Sequence, residues 1–439
     1  MIFFNNLNKH LGQIKKGGII VIIKKIKMLI ILTLKIPFFI TLIPCVIIIR
    51  LVSPWILIRL GQIGSSRIGH FAKELELYLN DLDASINVPQ KKYIDFFFLK
   101  NNQVCNRQLE KMWRKKLRIW PTFLLQPFYK LSQFMDIFFS NNNEHRINLT
   151  LRDTNNSLEK FKPHLKFTDQ EEVDGQNFLR NLGFQKNDKF VCLLVRDAGY
   201  LNRHLKSSYD DPSRFTYHNY RDGNIDRYVL AAEELAARGY YVFRMGINVL
   251  KKFNSSNPKI IDYANLKIRS DFMDIYLGAK CTFCISTKAG FDDVPEIFRK
   301  PIAYVGVVPI ARLESHNKDT LIIPKKHISK KTKKKLSISE IFYSNVGASL
   351  KSEEYDLNNI ELEENQPEEI RDLVIEMDER LKGSWKEDSE DLLLQKNSWE
   401  IFEKNIKNLN YYEPYEPLHG KIKARFGAKF LRENQNWIR

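Results

Sequence analysis

The chain has 439 residues, 44% of them hydrophobic, and a formal net charge of +17. That is long enough for two domains plus additions and too apolar for a disordered chain. The charge does not read as a nucleic-acid surface, because it is unevenly placed: residues 1–73 hold 11 Lys and Arg and no acid, whereas residues 353–391 hold 16 acids against 4 bases. Five cysteines without regular spacing exclude a disulfide framework and point to a reducing compartment.

The basic N-terminal arm is also the most apolar part of the chain, so an anionic membrane surface is its expected partner. Met28 to Ile49 gives 22 residues with Lys35 as the one charge, about the length that spans a bilayer. Pro37, Pro44 and Pro54 interrupt it, and Arg50 and Arg59 follow. Lysines 9, 15, 16, 24, 25 and 27 would hold the N-terminus inside and export everything after a single span. An interfacial, monotopic anchor is therefore expected over a single span or a buried core element, and the arm lacks a secretory cleavage site.

WILIRL (55–60) reads as a strand, GQIGSSRIG as a glycine-rich loop and HFAKELELYL (70–79) as an amphipathic helix. YIDFFFL (93–99) is a second strand and NRQLEKMWRKK (106–116) a second helix. An aromatic run from Pro121 to Ser140 reads as helical, and 141–157 as a polar linker. Thr168 and Glu171 match a capping box, with Gly183 closing that helix. KFVCLLV, YYVFRM, CTFCIS and PIAYVG then read as strands, alternating with helices over 225–238 and 270–279. That alternation implies βαβ units and a parallel sheet. The lysine run 325–335 reads as a solvated loop, and 366–383 as a helix with Pro in its first turn and Gly after its last. The expected division is an arm (1–54), two α/β domains (55–160 and 161–350) and a helical extension (351–439).

Ligands of open parallel sheets sit outside the carboxyl ends of the strands. Short polar clusters end these strands: VRDAGY (195–200), RMG (244–246), DYAN (262–265) and STKAG (286–290). Arg196 and Arg244 place guanidinium groups where a diphosphate could be gripped, and Asp197 can orient Arg196 or take a proton. Two arginines can stand in for a divalent metal at a pyrophosphate leaving group, so no metal is expected. Tyr200, Gly246, Asp262, and Tyr217, Tyr220 and Arg221 of the basic, aromatic loop are further donor-side candidates. Ser286, Thr287 and Gly290 precede FDDVPEIF, where a helix start could meet an anion, although Asp292 and Asp293 would compete with it. In the first domain Gly64, Ser65, Ser66, Arg67 and Gly69 form a loop that is neither a P-loop nor a dinucleotide fingerprint, and His70 is a candidate base. Cys281 and Cys284 form a CxxC inside an apolar run and read as buried residues, not zinc ligands.

The segments SSRIGHFA (65–72), VRDAGYL (195–201), YHNYRDGNIDRY (217–228), GYYVFRMG (239–246), NPKIIDYAN (257–265), RSDFMDIYLGAKCTFCIST (269–287) and ARFGAKFLREN (424–434) resemble a bacterial family of glycosyltransferases associated with surface polysaccharide. That family is of the two-Rossmann-domain type called GT-B. The resemblance implies an α/β fold of two Rossmann-like domains behind a membrane-associating arm. It further implies a nucleotide-sugar held by the second domain as donor substrate, a lipid-linked or glycan acceptor at the first, and no cofactor. The VRDAGY and STKAG segments are similar, more distantly, to fucosyltransferases that hold the diphosphate with an Arg after a strand. Leu194 stands where the family has His, and Ala289-Gly290 where it has Ser-Gly, which leaves His70 and Asp197 as the base candidates. The expected location is the cytoplasmic face of the inner membrane, peripheral and monotopic or single-span. A nucleotide-sugar epimerase or hydrolase, or a non-catalytic polysaccharide-binding protein, are the competing readings.

Overall fold

The computed structural model describes residues 2–136, 143–204, 212–313, 317–407 and 420–438. They form an α/β protein of two compact units. The first comprises Met1–Gln62, Pro89–Asn101 and Arg118–Asn148, the second Ile63–Val88, Asn102–Leu117 and Leu149–Arg439.

In the first unit a helix, Ile2–Leu51, is broken by non-helical backbone at Gly18 and runs on through Pro37 and Pro44. Each internal proline removes one backbone hydrogen bond. Tertiary packing supports the stretch that contains them: Val46 packs with Leu131 and Met135 of the helix Thr122–Met135, and Arg50 pairs with Asp136 at 2.5 Å. The inward stripe is Phe39, Leu42, Ile43 and Val46. Ile40, Ile47, Ile48 and Leu51 form the opposite stripe and are exposed. Among the described residues no helix is long and apolar enough to cross a membrane.

Strands β1 (Leu57–Ile63), β2 (Tyr93–Leu99) and β3 (Arg146–Ile147) make a small sheet in the order β2-β1-β3. A buried two-pronged pair, Arg59 to Asp95 at 2.7 and 2.6 Å, ties β1 to β2. Gly61 lies within β1 and not in the following loop, because the ring of Phe97 occupies the space a Cβ would need, 2.5 Å away. The polar stretch expected to be a linker contributes β3, which pairs parallel to β1. Two residues are too few to show a period.

The second unit is built on a seven-stranded sheet. Its strands are β4 (Lys189–Leu194), β5 (Tyr240–Arg244), β6 (Ile260–Ile261), β7 (Cys284–Ser286), β8 (Ile302–Val307) and β9 (Leu321–Pro324), with β12 (Arg425–Phe426) added at the edge. The order is β12-β9-β8-β7-β4-β5-β6, and every pairing is parallel. Burial on both faces explains why these strands read as continuous apolar runs. Cys281 and Cys284 are free and buried in this core.

The capping box read at Thr168 and Glu171 is present, and the structure has two further caps. Thr168 and Glu171 form a reciprocal box on Asp169–Asn181, Ser270 caps Asp271–Lys280, and Gln366 with Glu369 caps Pro367–Lys382 ahead of Gly383 at φ 71°.

The lysine run departs from its expected solvated loop. Lys326–Ser329 is strand β10, antiparallel to β11 (Ile360–Glu363). Lys325, Lys326 and His327 are buried, and Lys331 to Lys335 are exposed. Lys326 is neutralised by Glu369 at 2.9 Å, a partner 43 residues away that no local reading supplies.

Candidate functional site

In the order β6-β5-β4-β7-β8-β9 the strand sequence runs outward in both directions from β4 and β7. This is the doubly wound arrangement, whose topological switch point lies between those two strands. Chain segments leaving β4 and β7 part there, which opens a crevice at their carboxyl ends. Thr287 fastens its floor: its N–H donates to Leu194 O at 3.1 Å, and its Oγ1 accepts from Arg196 N at 2.8 Å. Ser286 is fully buried, and its hydroxyl accepts from Lys288 N at 3.0 Å in a turn where Lys288 takes φ 58°. Both hydroxyls therefore shape the loop.

Arg196 leaves β4 and pairs with Asp222, while also donating to His218 O at 3.2 Å. The 3₁₀ segment Pro212–Arg221 brings His218, Tyr220 and Arg221 over the strand ends. Arg221 donates to Lys288 O, so this segment closes on the β7 loop. Tyr220 is buried and stacks on Tyr355 at 5.4 Å. The Lys325 ammonium, just after β9, donates to Tyr220 O at 3.0 Å and Asp222 O at 2.6 Å. Burial pushes Lys325 down to about 8 and Arg196 down to about 10, with Arg221 adding to the effect on Arg196. Burial, reinforced by Arg196, Arg221 and Arg67, holds the His218 imidazole down at about 4. Asp222 is the carboxylate paired with Arg196, while Asp197 acts on Arg196, Asp292 on Arg221 and Glu364 on Lys325.

The loop 64–69 reaches the same place. Arg67 precedes the helix Ile68–Asp83 with no side-chain cap and is exposed. Gly290 lies against that helix start, its Cβ position 3.4 Å from Gly69 N. Gly69 itself admits no side chain, since a Cβ would stand 2.3 Å from Asp293. Gly64 faces His70, its Cβ position 3.2 Å from His70 Cβ. Ser65 is buried, bonding through its hydroxyl to Gln103 O and through its carbonyl to Cys105 N. Ser66 is half-buried beside it. His70 Nδ1 is 2.6 Å from Glu74 Oε1. With Nδ1–H donating, Nε2 carries the lone pair.

The residues at the ends of β5 and β6 form a separate, closed group. Arg244 is 1% exposed and lies 3.2 Å from Asp262 and 3.9 Å from Asp197. Asp197 accepts from Gly199 N and Leu250 N, both at 2.8 Å, so each of its oxygens is engaged. Asp262 also accepts from Phe253 N at 3.0 Å and Asn265 Nδ2 at 2.7 Å. Gly246 takes φ 142° against Val249. Tyr200 is half-buried, its phenol pushed up by burial.

The structure thus gathers Arg67, Gly69, Arg196, Arg221, Thr287 and Gly290 near the β4–β7 crevice, and it sets Gly64 and His70 against Glu74. Arg244 pairs with Asp262 and lies near Asp197, which also acts on Arg196. The helix after STKAG, Asp293–Ile297, has five residues, and its carboxylates Asp293 and Glu296 face Lys73 at 3.7 and 2.9 Å. Buried Asp292 is pushed up to about 7, by burial first and then by Glu296. Sequence reasoning passed over His218, Asp222, Lys325 and Glu74. His218 and Asp222 sit in the aromatic-basic loop it did single out, and Glu74 stands four residues after His70 on one helix face. Among the described residues no group of three or more His, Cys, Asp or Glu could hold a metal ion.

No family model matches the chain, and no curated protein matches it. Among solved structures it is similar to a glycosyl transferase family 9 protein of Veillonella parvula DSM 2008, at 10% identity and TM-score 0.35, over 56% of this chain and 79% of that one. It is also similar to the ADP-heptose LPS heptosyltransferase II of E. coli, at 12% identity and TM-score 0.32, over 57% and 86%. Matches this loose add nothing to the strand order and residue geometry, on which the function proposed below rests.

Proposed function

We propose that this protein is a glycosyltransferase of the GT-B type, moving a hexose-like sugar from a nucleotide-sugar donor to a lipid-linked or glycan acceptor in surface polysaccharide assembly. The observation that carries the reading is the surplus of guanidinium groups, Arg67, Arg196 and Arg221, gathered at the switch point of a doubly wound sheet. A diphosphate fits that charge and position. In the reaction the acceptor hydroxyl oxygen bonds to the anomeric carbon as the carbon–oxygen bond to the diphosphate breaks. The bonding pair leaves with the diphosphate, where the guanidiniums stabilise it without a metal or other cofactor. The acceptor proton passes to a base. His70 fits that role better than Asp197, because Glu74 orients its ring, whereas both Asp197 oxygens hold backbone N–H groups.

The same reading places the protein at the cytoplasmic face of the inner membrane, peripheral and monotopic. Supporting it are the exposed stripe Ile40, Ile47, Ile48 and Leu51 and the absence of any acid in the first 73 residues. Apolar area and positive charge together are what an interfacial helix needs. A lipid-linked acceptor would be met there, which favours transfer over epimerisation or hydrolysis.

The test is thermal denaturation with UDP, GDP, CMP and dTDP, followed by assay of the matching sugar donor. A binding nucleotide at 100 times its Kd adds about 2.7 kcal/mol of stability. Arg196→Ala should lose the shift and the turnover. Full activity in that variant, with the correct donor, would remove the assignment.

A further inference from the structure

The imidazole of His218 lies in the crevice with its Nδ1 buried and without a hydrogen-bond partner. Arg196 faces it from the end of β4, Arg221 from its own 3₁₀ segment, and Arg67 from the start of the helix Ile68–Asp83. Its own carbonyl accepts from Arg196. Tyr217 covers one side at a ring separation of 3.9 Å, Tyr220 lies at 6.5 Å, and Asp222 is the nearby carboxylate, paired to Arg196. A buried ring nitrogen without a partner is costly. A neutral imidazole beside three guanidiniums is a group that an approaching anion would favour in its protonated form.

We propose that His218 is a ligand of the bound anion: as phosphoryl oxygens enter among the three guanidiniums, the imidazole takes a proton from solvent and donates an N–H hydrogen bond to one of them. The inference rests on the diphosphate site proposed above and adds a residue and a proton to it. The physical cause is Coulombic. In the empty site neighbouring cations disfavour the imidazolium, whereas an anion carrying two or more charges reverses the sign of the local field. Binding therefore couples to proton uptake, and affinity rises as pH falls through the range between the free and bound pKa values.

Isothermal titration calorimetry of the full chain tests this, with sulfate as probe because its charge is constant from pH 5 to 7. Titrations at pH 5.5 in two buffers of different ionisation enthalpy give the protons taken up. The wild type should take up a fraction of a proton approaching one per sulfate bound, and His218→Gln should bind with that uptake lost. Circular dichroism confirms the fold of the variant, and His218→Asn serves as a second variant. Sulfate binding without proton uptake in the wild type, or with the wild-type uptake retained in the His218 variants, would overturn the role of His218 and leave the anion site standing. Absence of both sulfate and pyrophosphate binding would overturn the two together. Binding with the expected uptake but without sugar transfer from any donor would sink the glycosyltransferase reading alone.

Discussion

Two arginines, each at the carboxyl end of a strand in one parallel sheet, meet opposite fates. Arg244 ends β5 inside a network in which Asp262 and Asp197 supply more than its own charge, and it is 1% exposed. Arg196 follows β4 and pairs with Asp222, with Arg221 and Arg67 gathered beside it and Asp197 and Asp292 acting on the same group from farther off. The first arrangement holds loops together, and the second keeps an unmet demand for negative charge. An arginine at a sheet terminus is thus a ligand group only where its neighbours leave it one.

Substituting the two arginines in parallel separates these roles most sharply. Arg196→Ala should lower kcat by about 10²- to 10³-fold, the scale of removing one preorganised donor to a developing anion, with a smaller loss of stability than Arg244→Ala because its partner Asp222 is more exposed. Arg244→Ala leaves Asp262 and Asp197 without their cation, and loss of one partner from a buried pair costs about 3–5 kcal/mol. Urea titration reads that loss. If both variants lost activity and neither lost stability, the distinction between the two groups would collapse.

The two base candidates divide along the same line. His70→Ala should lower kcat by about 10²- to 10⁴-fold. Asp197→Ala should cost about 1–3 kcal/mol of stability through its two orphaned N–H groups. A His70 variant with wild-type turnover would move the base elsewhere.

Acid sharpens the contrast further. His218 is held at about 4, below its ordinary value near 6.5, so between those values the unfolded chain binds more protons than the folded one. His218 therefore makes stability fall as pH drops from about 6.5 towards about 4. Buried His327, pushed to about 4 mainly by burial, acts in the same direction. His218→Gln should flatten the slope measured by denaturation at successive pH values, and saturating pyrophosphate should flatten it in the wild type. His327 would keep its share of the slope in both cases.

The smallest effect concerns the other unit. Replacing exposed Ile47 and Ile48 by Glu should leave the fold intact and reduce co-sedimentation with vesicles containing anionic phospholipid severalfold. Equal sedimentation of the variant, or sedimentation that ignores lipid charge, would argue against the interfacial role of that stripe.

By itself the sequence determined the local features whose causes lie within a few residues. The Thr168–Glu171 box, the Ser270 cap, the strands KFVCLLV and YIDFFFL and the glycine stop at Gly183 were legible because capping and periodicity are short-range. Polar residues closing an apolar run, such as Arg196 after β4, are likewise visible in one dimension. Only the tertiary structure decided which strand ends are neighbours, and therefore which charges remain uncompensated. Arg244 meets Asp262 across 18 residues, Lys325 meets the Tyr220 carbonyl across 105, and Arg67 acts on His218 from 151 positions away. Coulomb interactions depend on distance in space, which sequence separation does not report.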